Sequence, residues 1–117
     1  MNEENLIKKN YSIWTSPAFD NSIISKINKL KQHDIREFND SFYCNLSFGT
    51  GGMRGVMGAG TNRINKYTLG KNTQGLSNYL LQSFPDKQPK VAIAFDCRHN
   101  SQLFAQSVAL PIITSQP

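Results

Sequence analysis

Apolar residues recur at helical spacing through the first third of the chain, and then the pattern breaks. Leu6, Ile7, Tyr11, Ile13 and Trp14 mark a helical or irregular lead segment. Ser16-Pro17 reads as an N-cap followed by proline at the first helical position. Phe19, Ile23, Ile24, Ile27 and Leu30 follow on one face, which predicts a helix over about 18–31. Asp34-Ile35-Arg36-Glu37 reads as a capping box, with aspartate as the cap and glutamate three residues later. It opens a short helix to about Tyr43 that carries Phe38 and Phe42 together. Residues 66–82 give the clearest helical signal, a stripe of Leu69, Thr73, Leu76 and Leu80. Gly70 and Gly75 weaken that helix by about 1 kcal/mol each relative to alanine, and as small residues they suggest room for another backbone to pack closely. Phe84-Pro85-Asp86 ends it.

Further along, Lys90-Val-Ala-Ile-Ala-Phe-Asp96 is a short apolar run of the kind a buried parallel strand shows. Asn100 or Ser101 then caps a helix carrying Leu103, Phe104 and Val108, which is expected to stop at Pro111. Helix, strand, loop and helix in this order predict an α/β fold, with N-terminal helices followed by an incomplete mixed-sheet domain. One main strand and one or two short ones are few for a closed α/β domain, so the chain reads as the opening of a larger one. The expected divisions are a helical segment at 1–45, the α/β part at 46–109 and a separate tail at 110–117. With so few strands, a sheet edge and apolar helix faces are expected to stay uncovered.

Composition changes this picture only slightly. The 117 residues are 38% hydrophobic and 18% charged, which suits a globular chain rather than a disordered one. The net charge is +5, but the basic residues are scattered and form no run of five. That favours an anionic ligand and gives no nucleic-acid footprint. No apolar run approaches the roughly 20 residues that span a bilayer, so no membrane partner is expected. Cys44 and Cys97 have no metal-ligand spacing and read as reduced thiols. The polar, acidic start Met1-Asn-Glu-Glu-Asn is not a signal peptide. A cytoplasmic setting follows as the expectation.

The break in the pattern is where the chemistry concentrates. Six of the eight glycines fall between Gly49 and Gly60, with Arg54 among them. A glycine backbone can turn tightly and approach a ligand closely, its N–H groups can point at an anion, and arginine supplies a planar fork of donors. The segment is nevertheless neither of the common phosphate motifs. Gly70-Lys71-Asn72 lacks the Ser or Thr of a P-loop. Gly49-x-Gly51 and Gly58-x-Gly60 meet Arg54 and Arg63 where the dinucleotide fingerprint needs its third glycine.

The string Leu46-Ser-Phe-Gly-Thr-Gly-Gly-Met-Arg-Gly-Val-Met-Gly-Ala-Gly-Thr-Asn-Arg-Ile-Asn65 resembles the N-terminal signature of the α-D-phosphohexomutases, most closely the phosphoglucomutase/phosphomannomutase branch. The likeness continues through Thr73-Gln-Gly-Leu-Ser-Asn-Tyr79 and Val91-Ala-Ile-Ala-Phe-Asp-Cys-Arg-His-Asn-Ser101, and covers about residues 30–109. It implies the first part of domain I of a four-domain α/β enzyme built around one cleft. In that family a phosphoserine passes its phosphoryl group to a hexose phosphate. A sugar bisphosphate forms as intermediate and activator, and Mg2+ sits beside the phosphoserine. By the resemblance, Thr50, Gly51 and Gly52 would face the phosphoserine, and Arg54 would stabilise phosphate. Arg98, in the Asp96-Cys-Arg98-His-Asn-Ser101 loop, would order the site or contact an anion. It reads equally as a structural partner of Asp96.

Other residues have plainer expectations. Arg63 and Lys66 read as solvated surface charges, His33 as a surface residue, and His99 as a packing or hydrogen-bonding residue rather than a catalytic base. Tyr67, Tyr79 and the phenylalanines read as core or rim packing.

The chain also departs from the family. It holds no Thr-(Ala/Gly)-Ser-His-Asn-Pro nucleophile motif and no Asp-x-Asp-x-Asp metal motif, so the nucleophile serine and the Mg2+ ligands are expected outside it. Thr114-Ser-Gln-Pro117 lacks the His-Asn pair and comes too soon after Ser101, so Ser115 is not expected to be the nucleophile. A truncation or a frameshifted end would account for the tail. Two function classes follow. One is the N-terminal portion of a phosphohexomutase, inactive by itself. The other is a non-catalytic phosphosugar- or anion-binding module.

Overall fold

The computed structural model describes residues 2–49, 52–95 and 97–114. They form α1 (Glu3–Trp14), α2 (Asn21–His33), α3 (Ile35–Phe42), β1 (Phe48–Gly49), β2 (Gly52–Met53), α4 (Lys66–Ser83) and α5 (Ser101–Thr114). The chain divides into two compact units, Met1–Asn65 and Lys66–Pro117.

In the first unit each helix starts for a local reason. The Asn2 side chain accepts from the Asn5 amide at 2.9 Å, and Glu3 and Glu4 lie in the first turn of α1, where carboxylates suit the positive end of the helix dipole. The Asp34 side chain accepts from the Glu37 amide at 3.1 Å and caps α3. Glu37 does not complete a capping box: the Asp34 amide that it would take donates to Leu30 O at 2.8 Å, and the Glu37 carboxylate meets Arg63 instead. The second helix begins at Asn21 with Asp20 as its N-cap, not at Pro17. Residues 15–19 turn instead, which lets the Phe19 ring stack on Trp14 with centroids 4.6 Å apart.

The core of this unit is aromatic. Phe42 has no exposed surface, and Ile27, Phe38, Trp14 and Leu46 are buried around it. Trp14 meets Phe42 edge-on at 6.0 Å, Phe38 lies 5.1 Å from Phe42, and Tyr11 meets Phe38 edge-on at 5.6 Å. Such pairs add about 0.5–1.5 kcal/mol each beyond the apolar area they bury. Both α1 and α2 pack on α3.

In the second unit α4 and α5 pack on one another. Gly70 and Gly75 do not make room for a neighbour here: a Cβ on either would meet nothing within 4 Å. Pro111 lies inside α5, which continues to Thr114 rather than stopping. A proline so near a helix end removes one amide donor and leaves little helix after it to disturb. Tyr79 is exposed rather than packed. A groove of about 440 Å³ is lined by Ser77, Leu80, Leu81, Pro85, Val91 and Ile112.

The expected strand at Lys90–Asp96 does not form over its described residues, 90–95, which carry no ladder and whose side chains are exposed. Asp96 itself lies outside the described residues. A strand requires a neighbour to take its N–H and C=O groups, and no described strand pairs with this run. The described residues are therefore mostly helical. Their one sheet is the two-stranded antiparallel β1–β2 ladder, in register Phe48 with Met53 and Gly49 with Gly52, and no mixed sheet is present among them. Among the described residues no helix is long and apolar enough to cross a membrane.

Candidate functional site

The glycine segment is a short hairpin followed by a return loop. Thr50 and Gly51, which follow β1 in sequence, lie outside the described residues. Gly52 has φ +121°, a conformation that L side chains rarely adopt. Arg54 follows at once, is exposed, and has no hydrogen bond or ion pair to any other described residue. Gly52 and Arg54 are thus brought together on one arm of the hairpin. Past Arg54 the chain comes close to its own foundations. A Cβ on Gly55 would lie 3.0 Å from Leu46 Cδ1, and one on Gly60, at φ +131°, would lie 2.5 Å from the Ser41 carbonyl oxygen. Glycine at 60 is therefore required twice, by conformation and by space.

Residues 61–65 hold this loop against α3. A helix leaves its last carbonyls without internal partners, and this segment supplies several. The Asn62 amide donates to Ser41 O at 3.0 Å, and Asn62 Nδ2 donates to Asp40 O at 3.0 Å. Just past the helix, Thr61 Oγ1 donates to Cys44 O at 2.7 Å. From α1, Asn10 Nδ2 donates to Phe42 O at 2.8 Å. The same segment grips both flanks of the glycine loop. The Leu46 amide donates to Thr61 O at 2.7 Å, the Ile64 amide to Val56 O at 2.8 Å and the Gly58 amide to Ile64 O at 3.2 Å. Buried Asn65 donates through Nδ2 to Gly58 O at 2.8 Å and to Gly60 O at 3.1 Å.

Arg63 sits at the centre and overturns its expected place on the surface. It is only 3% exposed. Its Nη2 reaches Glu37 Oε1 at 2.8 Å and Asp40 Oδ2 at 2.7 Å, and Nη1 donates to Asn62 O at 3.0 Å. Burial works against its charge, yet hydrogen bonds and attraction from Glu37 and Asp40 outweigh it and raise the guanidinium pKa above its ordinary value. Glu37 and Asp40, three apart on α3, are the signal that could have found it: two carboxylates on one helix face call for a cation.

Arg98 belongs to the second unit. It is exposed, and its carbonyl accepts from the Ser101 amide at 3.1 Å in the turn that opens α5. Asn100, at φ 66°, makes that turn, and its carbonyl accepts from the Phe104 amide at 2.9 Å. His99 and His33 are exposed, and Cys44 and Cys97 are free thiols. Among the described residues no group of three His, Cys, Asp or Glu side chains is placed to hold a metal ion.

The phosphoglucomutase/phosphomannomutase alpha/beta/alpha domain I family model matches residues 45–116, which includes the glycine loop, the Arg98 turn and residues 110–116. The chain belongs to this family. It is 40% identical over 79 residues to a phosphoglucomutase of Staphylococcus aureus (strain USA300), covering 68% of this chain and 14% of that protein. It is 42% identical over 73 residues to a phosphoglucomutase of Staphylococcus aureus (strain bovine RF122 / ET3-1), covering 62% of this chain and 13% of that one. The chain thus spans about a seventh of the length of these relatives. No solved structure matches it significantly.

Proposed function

We propose that this chain provides the phosphate-facing loop of a phosphohexomutase. In such an isomerase a phosphoryl group moves between positions on a hexose through a phosphoserine and a sugar bisphosphate. The observation that carries the reading is Arg54: exposed, without a partner among the described residues, and following Gly52 on a hairpin whose flanks are tied down. Phosphoryl transfer asks the protein mainly for positioning and charge stabilisation. A guanidinium can bond two phosphate oxygens at once, and the backbone at Gly52 lets a ligand approach without meeting a Cβ. Thr50 and Gly51 would face the phosphoserine, and Arg98 would be a second anion contact. The nucleophile serine and any Mg2+ ligands would come from polypeptide beyond these residues. The free thiols and the absence of a described membrane-crossing helix support a cytoplasmic setting.

The test is titration of the isotopically labelled chain with glucose 1,6-bisphosphate. Saturable shifts are expected at the Gly52, Arg54 and Gly55 amides and at Arg54 Nε. Arg54→Ala should weaken binding about tenfold or more, the loss of a charge-assisted hydrogen bond. Absence of any saturable shift would overturn the assignment. The chain alone is expected to interconvert no glucose 1-phosphate and glucose 6-phosphate, and turnover would refute a nucleophile supplied from elsewhere.

A further inference from the structure

We infer that Arg63 is a positioning residue for the glycine loop: by locking residues 61–65 onto α3, it sets the backbone from Gly52 to Gly58 in which Arg54 is presented. This rests on the reading of Arg54 as a phosphate contact. The geometry gives a continuous path. Arg63 bonds Glu37 and Asp40 of α3. Its neighbour Ile64 bonds Val56 and Gly58 on the far flank of the loop. Two residues before it, Thr61 accepts from Leu46 on the near flank. Leu46 and Ile64 in turn lie under Gly55, 3.0 and 3.5 Å from where its Cβ would be. Arg54 therefore sits between two flanks that one short segment holds, and that segment is fastened by the buried Arg63 guanidinium paired with two half-exposed carboxylates.

The form of that fastening also matters. An apolar side chain at 63 would fill the space but would hold no fixed angle between the loop and α3. A guanidinium that bonds two carboxylates and a backbone carbonyl accepts only a narrow range of orientations. Lysine would keep the charge and lose the fork. Orientation is what a phosphate-binding arginine needs, because small displacements of a binding group cost large factors in what it stabilises.

The experiment compares Arg63→Met and Arg63→Lys with the unaltered chain at a temperature where each remains folded by far-UV circular dichroism and Trp14 fluorescence. Two readouts are taken: the amide signals of Gly52–Gly58 with their hydrogen-exchange rates, and the affinity for glucose 1,6-bisphosphate. Arg63→Met is expected to shift and broaden the loop signals, to raise their exchange rates about tenfold or more, and to weaken bisphosphate binding about tenfold. Arg63→Lys should fall between the two. A folded Arg63→Met chain with unchanged loop signals and unchanged affinity overturns the inference and leaves Arg63 a purely structural ion pair.

If Arg63→Met does not fold, Asp40→Asn, which removes one of the two charged partners, gives the same test in milder form. Unchanged loop signals in folded Asp40→Asn then overturn the inference. If the unaltered chain binds no bisphosphate, the phosphate reading fails, while the loop signals still decide the positioning role on their own.

Discussion

The two units solve the same folding problem with unequal success. In Met1–Asn65 the helices close on an aromatic core, and sequence-distant side chains satisfy the carbonyls at the end of α3. In Lys66–Pro117 two helices pack together, yet Leu103, Leu110, Ile113 and the run Val91–Phe95 stay exposed. Thr73 Oγ1 and Ser77 Oγ are buried with no hydrogen-bond partner. The first unit buries its aromatic core and pairs the last α3 carbonyls from within its own residues, although Phe48, Val56 and Met57 stay exposed there too. The second carries an apolar run whose natural use is a sheet, and the described residues supply no strand to pair with it. Helices satisfy their backbone internally and form wherever an apolar face finds cover, whereas a strand exists only by virtue of a second strand.

The largest effect is expected where the first unit is most complete. Phe42→Ala empties a site with no exposed surface and should cost about 4 kcal/mol, the range for phenylalanine truncation in a core. Trp14 is the chain's single tryptophan and lies against Phe42, so its fluorescence during urea unfolding reports this unit. A midpoint unchanged by Phe42→Ala would break the contrast. Gly60→Ala should follow at about 3 kcal/mol, because it adds left-handed strain to a collision with the Ser41 carbonyl. The same fluorescence transition measures it, and a loss under 1 kcal/mol would mean the loop relaxes freely.

How much of this was legible in the sequence divides along the same line. Phe38 and Phe42 at helical spacing, Asp34 ahead of Glu37, and the stripe from Leu69 to Leu80 marked α3 and α4, because helix signals are local. The glycines around Arg54 marked the loop for the same reason. Arg63 was only half legible: Glu37 and Asp40 on one face of α3 call for a cation, but they lie 26 and 23 residues earlier, and nothing local to Arg63 says that it is the basic residue that answers them. Val91–Phe95 misled in the opposite direction. Its apolar content states a preference for a strand, but whether that preference is met depends on a partner no local pattern reveals. Ser16-Pro17 likewise offered a good helix start, and the stacking of Phe19 on Trp14 accompanies a later one at Asn21.

Two substitutions in α4 should strengthen the weaker unit. Thr73→Val keeps the side-chain shape and removes a buried hydroxyl that has no partner, so it should stabilise by about 1 kcal/mol. Gly75→Ala adds a methyl group into open space within a helix and should gain a similar amount, about 0.8 kcal/mol. Far-UV circular dichroism against urea measures both. A destabilising Thr73→Val would show that the hydroxyl does find a partner in solution, and the contrast in polar satisfaction between the units would shrink.

The smallest effect is expected at Phe95, and it is the most discriminating. Phe95 is 58% exposed. Were residues 90–95 a buried strand in solution, Phe95→Lys would put an unpaired charge into an apolar layer at a cost of several kcal/mol. In the described structure the side chain has little cover to lose, so the urea midpoint should move by less than about 0.5 kcal/mol. The same change should reduce self-association on sedimentation, since it places a positive charge on an exposed apolar run. A large loss of stability would mean that this run has found a sheet partner, another copy of the chain included, and that the second unit completes in solution what the first completes alone.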